Sequence, residues 1–358
     1  MVKSNRPRMH PLSSIGNLFH VSMWVLAVAC LFGCDSPRPP IEAHDVALPE
    51  SHQVVNWMAV LDSLPLDEPR ARQWSHLHDV HPSFWEAWCE DILQLGAAQD
   101  TSSTAVLEQF LSEMKPMLDA IDTTSGHPTV LDRETARLLN GLKRYSTMQP
   151  TAVVPDVFWM PSGFNFAIYP GEEWLAVGLD WFMGSEHPMH AELPPSRFPA
   201  YRLQRMNHER MAIDALIGWI AVQQQDQIVS PPRTVDMWLF WGKVMHAASR
   251  CLPNASSAEL MSWTEDEWAW AVANERAIWA EMQPQDRMFA KTPKEVMRWF
   301  QEGPFTRVGR VPQTSPDRLG VFLGWRAIQA ALEDRPDWTD TDVLDWTEPE
   351  PILRAYRP

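Results

Sequence analysis

A single apolar run, Val21 to Phe32, interrupted only by Ser22, precedes the motif Leu31-Phe32-Gly33-Cys34. Lys3, Arg6 and Arg8 form a positive segment ahead of it. The run has the length of a signal-peptide apolar region and falls short of the ~20 residues a spanning helix needs. A small residue directly before Cys, with Leu three before it, is the bacterial lipobox pattern. The peptidase needs a small side chain at the cut, and the thiol takes the diacylglyceryl group. Cys34 is therefore the expected lipid attachment site, and residues 1–33 the expected lipoprotein signal peptide. Cys30, after Ala27-Val28-Ala29, is a second and poorer candidate. The alternative is an uncleaved signal anchor.

This feature constrains the rest of the chain. No second long apolar run follows in the 358 residues, which excludes a multi-span membrane protein. Loss of Lys3, Arg6 and Arg8 takes the formal charge from −16 to −19. So acidic a body repels phosphate backbones and stays off an anionic lipid surface, which argues against nucleic acid as a partner. The expected arrangement is a membrane-anchored lipoprotein: a soluble body held to the membrane through its N-terminal lipid, facing the periplasm. Residues 34–50, with Pro37, Pro39 and Pro40, suit an extended tether. Residues 51–358 read as a single α-rich domain. Of the remaining cysteines, Cys89 and Cys251 could pair or stand as two buried thiols. Their apolar helical surroundings favour separate thiols.

The body alternates between helical periodicity and one short β region. Helices are expected over Gln53–Leu64, Ser83–Leu95, Thr104–Ile121 (kinked at Pro116) and Asp132–Met148. Ala152–Met160 and Leu175–Leu179 read as two strands flanking Ser162–Pro170. Helices return over Glu209–Gln224, Val235–Ser249, Glu265–Gln283, Pro293–Phe300 and Asp317–Leu332. Thr264 and Glu267 form a capping box. The fold class is α+β, predominantly α-helical with a small β-sheet. The 19 tryptophans read as core in preference to a sugar-binding platform.

Chemical motifs are incomplete. His76-Leu77-His78-Asp79-Val80-His81 resembles the HxHxDH of metallo-β-lactamase-type hydrolases, but Val80 stands where Asp must precede the last His. It reads as a polar loop capping the helix near Ser83. His208-Glu209-Arg210-Met211-Ala212 begins like the HExxH zinc helix, but Ala212 cannot ligate. His246, on the next expected helix, could contribute to such a site. No Gly-rich phosphate loop, GxSxG or SxxK occurs. We expect no catalytic residues, no metal and no cofactor. Asp180 at a strand end, and Asn274, Glu275, Trp279 and Arg318, form the candidate binding or structural cluster. For Glu275 the expected partner is an arginine among Arg276, Arg287, Arg318 and Arg326.

Several segments, in order, carry a resemblance. They are His81-Pro82-Ser83-Phe84-Trp85 with Asp91 to Gly96, Ala176 to Gly184, Phe198-Pro199-Ala200-Tyr201, and Trp241-Gly242-Lys243 with Leu252-Pro253. Thr264 to Trp279, Gly303-Pro304-Phe305-Thr306, Ser315 to Gly320 and Gly324-Trp325 continue the series. Together they resemble the gliding-motility lipoprotein GldB family of Bacteroidetes. The resemblance implies a lipid-anchored accessory protein of the cell envelope. It would work beside the gliding machinery and the linked type 9 secretion system by protein–protein docking. It also implies a distant zincin-like character without the full metal motif. A zinc-dependent periplasmic peptidase is the alternative function. The region Val54 to Leu66 lacks the Arg-Phe-Asp opening of the family, and Cys34 is followed by Asp35-Ser36-Pro37-Arg38, which favours a periplasm-facing anchor.

Overall fold

The computed structural model describes residues 40–43, 46–64, 70–96 and 101–358. Cys34 and the Val21–Phe32 run lie outside the described residues. Four short strands, β1 (Val54–Asn56), β2 (Asp156–Met160), β3 (Ile168–Pro170) and β4 (Trp174–Gly178), form one mixed sheet in the order β1-β2-β4-β3. β2 runs parallel to β1 and β4, with Phe158 opposite Val55 and Ala176, and β3 is antiparallel to β4. The inner strands are covered on both faces. That is why Val157–Met160 and Leu175–Val177 are continuous apolar runs instead of alternating ones.

The pleat of these two strands divides the interior. Val157, Trp159, Leu175 and Val177 face a large helical core. Phe158, Met160, Trp174 and Ala176 face a smaller aromatic core. The helical core is built from α1 (Pro128–Met148), α2 (Met211–Gln224), α3 (Thr234–Cys251) and α4 (Leu319–Glu333). α2 packs on β3 and β4, and α3 and α4 form the most extensive helix pair. In the aromatic core Phe84 stacks on Phe158 with centroids 3.8 Å apart, and the Trp57 indole meets Phe84 edge-on at 4.9 Å. Trp57, Trp85, Trp88, Trp159, Trp219, Trp238 and Trp325 are all under 2 % exposed, so these tryptophans are core side chains.

The α+β, predominantly helical class is what the structure shows. Element boundaries differ where local chemistry interrupts a periodic pattern. Val54–Asn56, expected as helix, is strand β1, and the helix starts at Trp57, capped by the Asn56 side chain. The 104–121 region is two helices, Thr101–Glu113 and Lys115–Thr123, because Pro116 belongs to the first turn of the second. The 265–283 region breaks at Asn274, whose backbone leaves helical geometry and whose Nδ2 donates to the Trp270 carbonyl at 2.8 Å. Ser83–Leu95 is a short helix, Pro82–Ala87, followed by a π-turn, Trp88–Ile92. His76 and His78, expected in a loop, lie on a helix, Arg70–Val80. β3 and two C-terminal helices, Asp340–Asp345 and Pro349–Ala355, had no sequence expectation. The body is engaged from Ile41, whose carbonyl accepts from Arg144 Nε at 2.8 Å, and Ala43 is buried.

Candidate functional site

The segment Ser315–Gly320 enters α4 through Arg318, which adopts a left-handed backbone (φ +51°). This turn drives Asp317 inward, to 1 % exposure. Its carboxylate accepts four bonds. Arg205 Nη1 donates at 2.7 Å and the Gly303 amide at 3.0 Å to one oxygen. Trp263 Nε1 donates at 3.0 Å and Arg318 Nε at 3.3 Å to the other. Burial alone would raise this carboxyl, but the Arg318 and Arg205 guanidiniums overcome it and hold the group at about 2. One carboxylate thus ties its own segment to three others, those of Arg205, Trp263 and Gly303.

Above this hub lies a cleft of about 430 Å³. Tyr201, Arg205, Arg210, Trp263, Glu267 and Pro304 contribute to its walls, and Glu209 and Glu259 also line it. Arg210 pairs with Asp214 one helical turn on and donates to the Glu259 carbonyl. Thr264 opens the next helix with the expected capping box: its Oγ1 accepts from the Glu267 amide at 3.2 Å, and Glu267 Oε2 accepts from the Thr264 amide at 2.7 Å. Tyr201, Thr264, Gly303 and Asp317 come from four of the segments that carry the family resemblance, so the tertiary fold assembles these segments around one cleft.

The sequence cluster is not one site. Asp180 is fully buried at the end of β4 and accepts from the Ser162 amide at 2.7 Å, Ser162 Oγ at 2.8 Å and the Phe164 amide at 2.5 Å. Burial pushes its carboxyl up, and these bonds oppose the shift. Asp180 fastens a turn in which Gly163 and Phe164 both carry positive φ, +64° and +56°. Glu275 accepts from Arg326 Nε at 3.0 Å and from the Tyr356 hydroxyl at 2.5 Å. Of Arg276, Arg287, Arg318 and Arg326, it is Arg326 that pairs with Glu275. Trp279 meets Tyr356 edge-on at 4.9 Å and stacks on Trp238 at 5.8 Å. Asn274 caps the helix break, and Arg318 belongs to the Asp317 hub. These residues therefore occupy three separate places, each engaged with protein groups.

The histidine motifs are likewise dispersed. His208–Arg210 is a 3₁₀ turn ahead of α2, and His208 Nε2 sits 3.0 Å from Glu209 Oε1. Ala212 is buried in the helical core. His246 Nε2 is 2.9 Å from Asp340 Oδ1, and Arg250 Nε donates to Asp340 Oδ2 at 3.0 Å. Burial would raise Asp340, but His246 and Arg250 bring it to about 2. His81 packs edge-on to Phe158 at 5.2 Å, and burial lowers its pKa. Among the described residues, no three His, Cys, Asp or Glu side chains are placed to hold one metal ion. Cys89 is buried in the aromatic core and Cys251 in the helical core, and both are free.

Among the described residues, three further buried charged groups, Asp317, Lys243 and Glu134, carry no chemical motif in the sequence. Asp317 and Lys243 lie inside segments of the resemblance, and Glu134 has no such signal. Lys243 is 2 % exposed and donates to the Leu344 carbonyl at 2.8 Å and the Trp346 carbonyl at 2.7 Å, and also to Gln227. Burial pulls its amine down to about 8. Glu134, 1 % exposed, accepts from Arg133 Nε at 2.8 Å and weakly from the Ala212 amide at the start of α2.

Among the described residues no helix is long and apolar enough to cross a membrane. No curated protein and no solved structure matches the chain. The family model of the gliding motility protein GldB matches residues 56–358. That span contains strands β2 to β4, the helices of both cores and the cleft above Asp317, and the chain belongs to the GldB family of gliding motility proteins.

Proposed function

We propose that the chain is an accessory lipoprotein of the gliding machinery. It is anchored through Cys34, faces the periplasm, is linked to the type 9 secretion system and acts by docking envelope proteins. The observation that carries the docking reading is the Asp317 hub. Its carboxylate is saturated by four protein donors. Asp180 and Glu275 are engaged in the same way. These groups hold the shape of surfaces, which suits recognition better than proton transfer. The family match supports the motility role, and the lipobox supports the anchor.

The test has two arms. Metabolic labelling with a radioactive fatty acid should mark the wild-type chain and leave Cys34→Ala unmarked. Cross-linking in membranes of the native host should then recover motility or type 9 secretion subunits. Incorporation of label into Cys34→Ala, or recovery of no envelope subunit, would count against the reading. Stoichiometric zinc in the purified chain, lost on His208→Ala or His246→Ala together with peptide turnover, would favour the peptidase alternative.

A further inference from the structure

The cleft beside Asp317 has a charge pattern created by its own ion pairs. Its two arginines are turned inward. Arg205 donates to buried Asp317 at 2.7 Å, and Arg210 is paired with Asp214. Arg318 adds a second cation to Asp317, and nearby Arg202 is 3.6 Å from Glu302. The floor and flank thus set four arginines against three carboxylates, one cation in excess. Glu209, Glu259 and Glu267 line the same cleft, and these three carboxylates outnumber that single excess cation, Arg205 being drawn to Glu267 as well as to Asp317. Glu259 and Glu267 each use Oε2 for a capping bond, to the Ser256 and Thr264 amides at 2.7 Å. Their Oε1 atoms make no hydrogen bond among the described residues. The Glu209 side chain is 61 % exposed, and its Oε1 meets only His208.

The walls add a second property. Tyr201, Ile213, Trp263 and Pro304 bring aromatic and apolar surface to the same space. A long cationic side chain needs this combination: apolar surface for its methylene stem, a ring face beside its head, and carboxylate oxygens beyond. The formal charge of −16 favours the approach of a cationic partner over an anionic one.

We infer that the cleft docks a cationic segment of a partner protein, and that Glu259 and Glu267 accept its Arg or Lys side chain. This rests on the docking reading and names the chemistry of the partner.

Both glutamates sit at capping-box positions that glutamine also serves, so Glu259→Gln with Glu267→Gln removes charge while keeping each cap. The probe is a terminally blocked Gly-Arg-Gly-Arg-Gly peptide, titrated against the full chain in detergent at low salt. A blocked Gly-Glu-Gly-Glu-Gly peptide is the comparison. The control variant, Glu172→Gln with Glu173→Gln, changes net charge equally in the turn before β4, outside the cleft. The arginine peptide is expected to bind the wild type and the control alike, with about tenfold weaker binding to the E259Q/E267Q variant. Equal losses in the two variants, no binding to wild type, or equal binding of the glutamate peptide would each overturn the inference. Undiminished cross-linking of the envelope partners in cells carrying E259Q/E267Q would overturn it too, while leaving the docking reading in place.

Discussion

Gly242 on α3 and Gly324 on α4 lie against each other where the two helices cross. A Cβ on Gly242 would stand 2.4 Å from the Gly324 carbonyl oxygen, and a Cβ on Gly324 would stand 2.2 Å from the Trp238 carbonyl oxygen. Both obstacles are backbone, so neither can swing aside. The helices approach through their main chains.

Gly324→Ala should therefore separate the α3–α4 pair despite the better helix propensity of alanine. The expected loss is about 2–4 kcal/mol, read from the urea midpoint. Gly303→Ala serves as reference. Its added Cβ would meet nothing closer than 3.4 Å and would keep the amide that donates to Asp317. It should change stability by less than about 1 kcal/mol. Equal effects would show that the crossing tolerates side chains.

Asp317→Asn should cost about 3 kcal/mol, because it leaves the half-buried Arg205 and Arg318 guanidiniums beside a neutral amide. The native chain should also show this group in its acid response. The folded pKa of about 2 lies below the ordinary 3.8, so its stabilisation is complete above 3.8 and fades as pH falls from there towards 2. The amount is about 2 kcal/mol. Acid titration of unfolding free energy should lose this component in Asp317→Asn.

Lys243→Met removes three donated hydrogen bonds and orphans the Leu344 and Trp346 carbonyls. A loss of about 2–4 kcal/mol is expected in thermal or urea unfolding. The alkaline response distinguishes the charge from the packing. The folded amine titrates near 8 and the unfolded one near 10.5, so the wild type should gain stability as pH rises between these values. Lys243→Met should lack that gain.

Cys89 and Cys251 should be silent towards thiol reagents in the native state. Burial raises both thiols, Cys89 to about 12, which leaves a thiolate fraction on the order of 10⁻⁵ at pH 7. Peptide mapping after alkylation should find both unlabelled in buffer and labelled in guanidinium. Labelling without denaturant would show that one core opens locally.

Much of the core was legible from spacing alone. The apolar runs at Val157–Met160 and Leu175–Val177 mark the inner strands, and the periodicities of α1 to α4 mark the helical layers. The candidate site was less legible. Asp180 and Glu275 stand out among apolar neighbours, yet each turned out to serve its own turn or helix pair. Asp317 does the wider work, but in sequence it is one carboxylate between Pro316 and Arg318. Nothing local shows that Arg318 adopts a left-handed backbone or that Arg205 lies across from it. Val54–Asn56 was missed for a related reason: three residues pair as a strand only because β2 is beside them.

The chain's own residues determined the lipobox-like pattern before Cys34, the acidic balance, the helical class with its small sheet, and an alanine, Ala212, where HExxH has its second histidine. These depend on side-chain identity and on periods of two and 3.6 residues, which are local quantities. Only the tertiary structure decided that Arg326 meets Glu275, that Asp317 gathers Arg205, Trp263 and Gly303, and that three glutamates share one cleft. Such pairings depend on where distant segments meet, and burial then sets the energy of each charge that is caught between them.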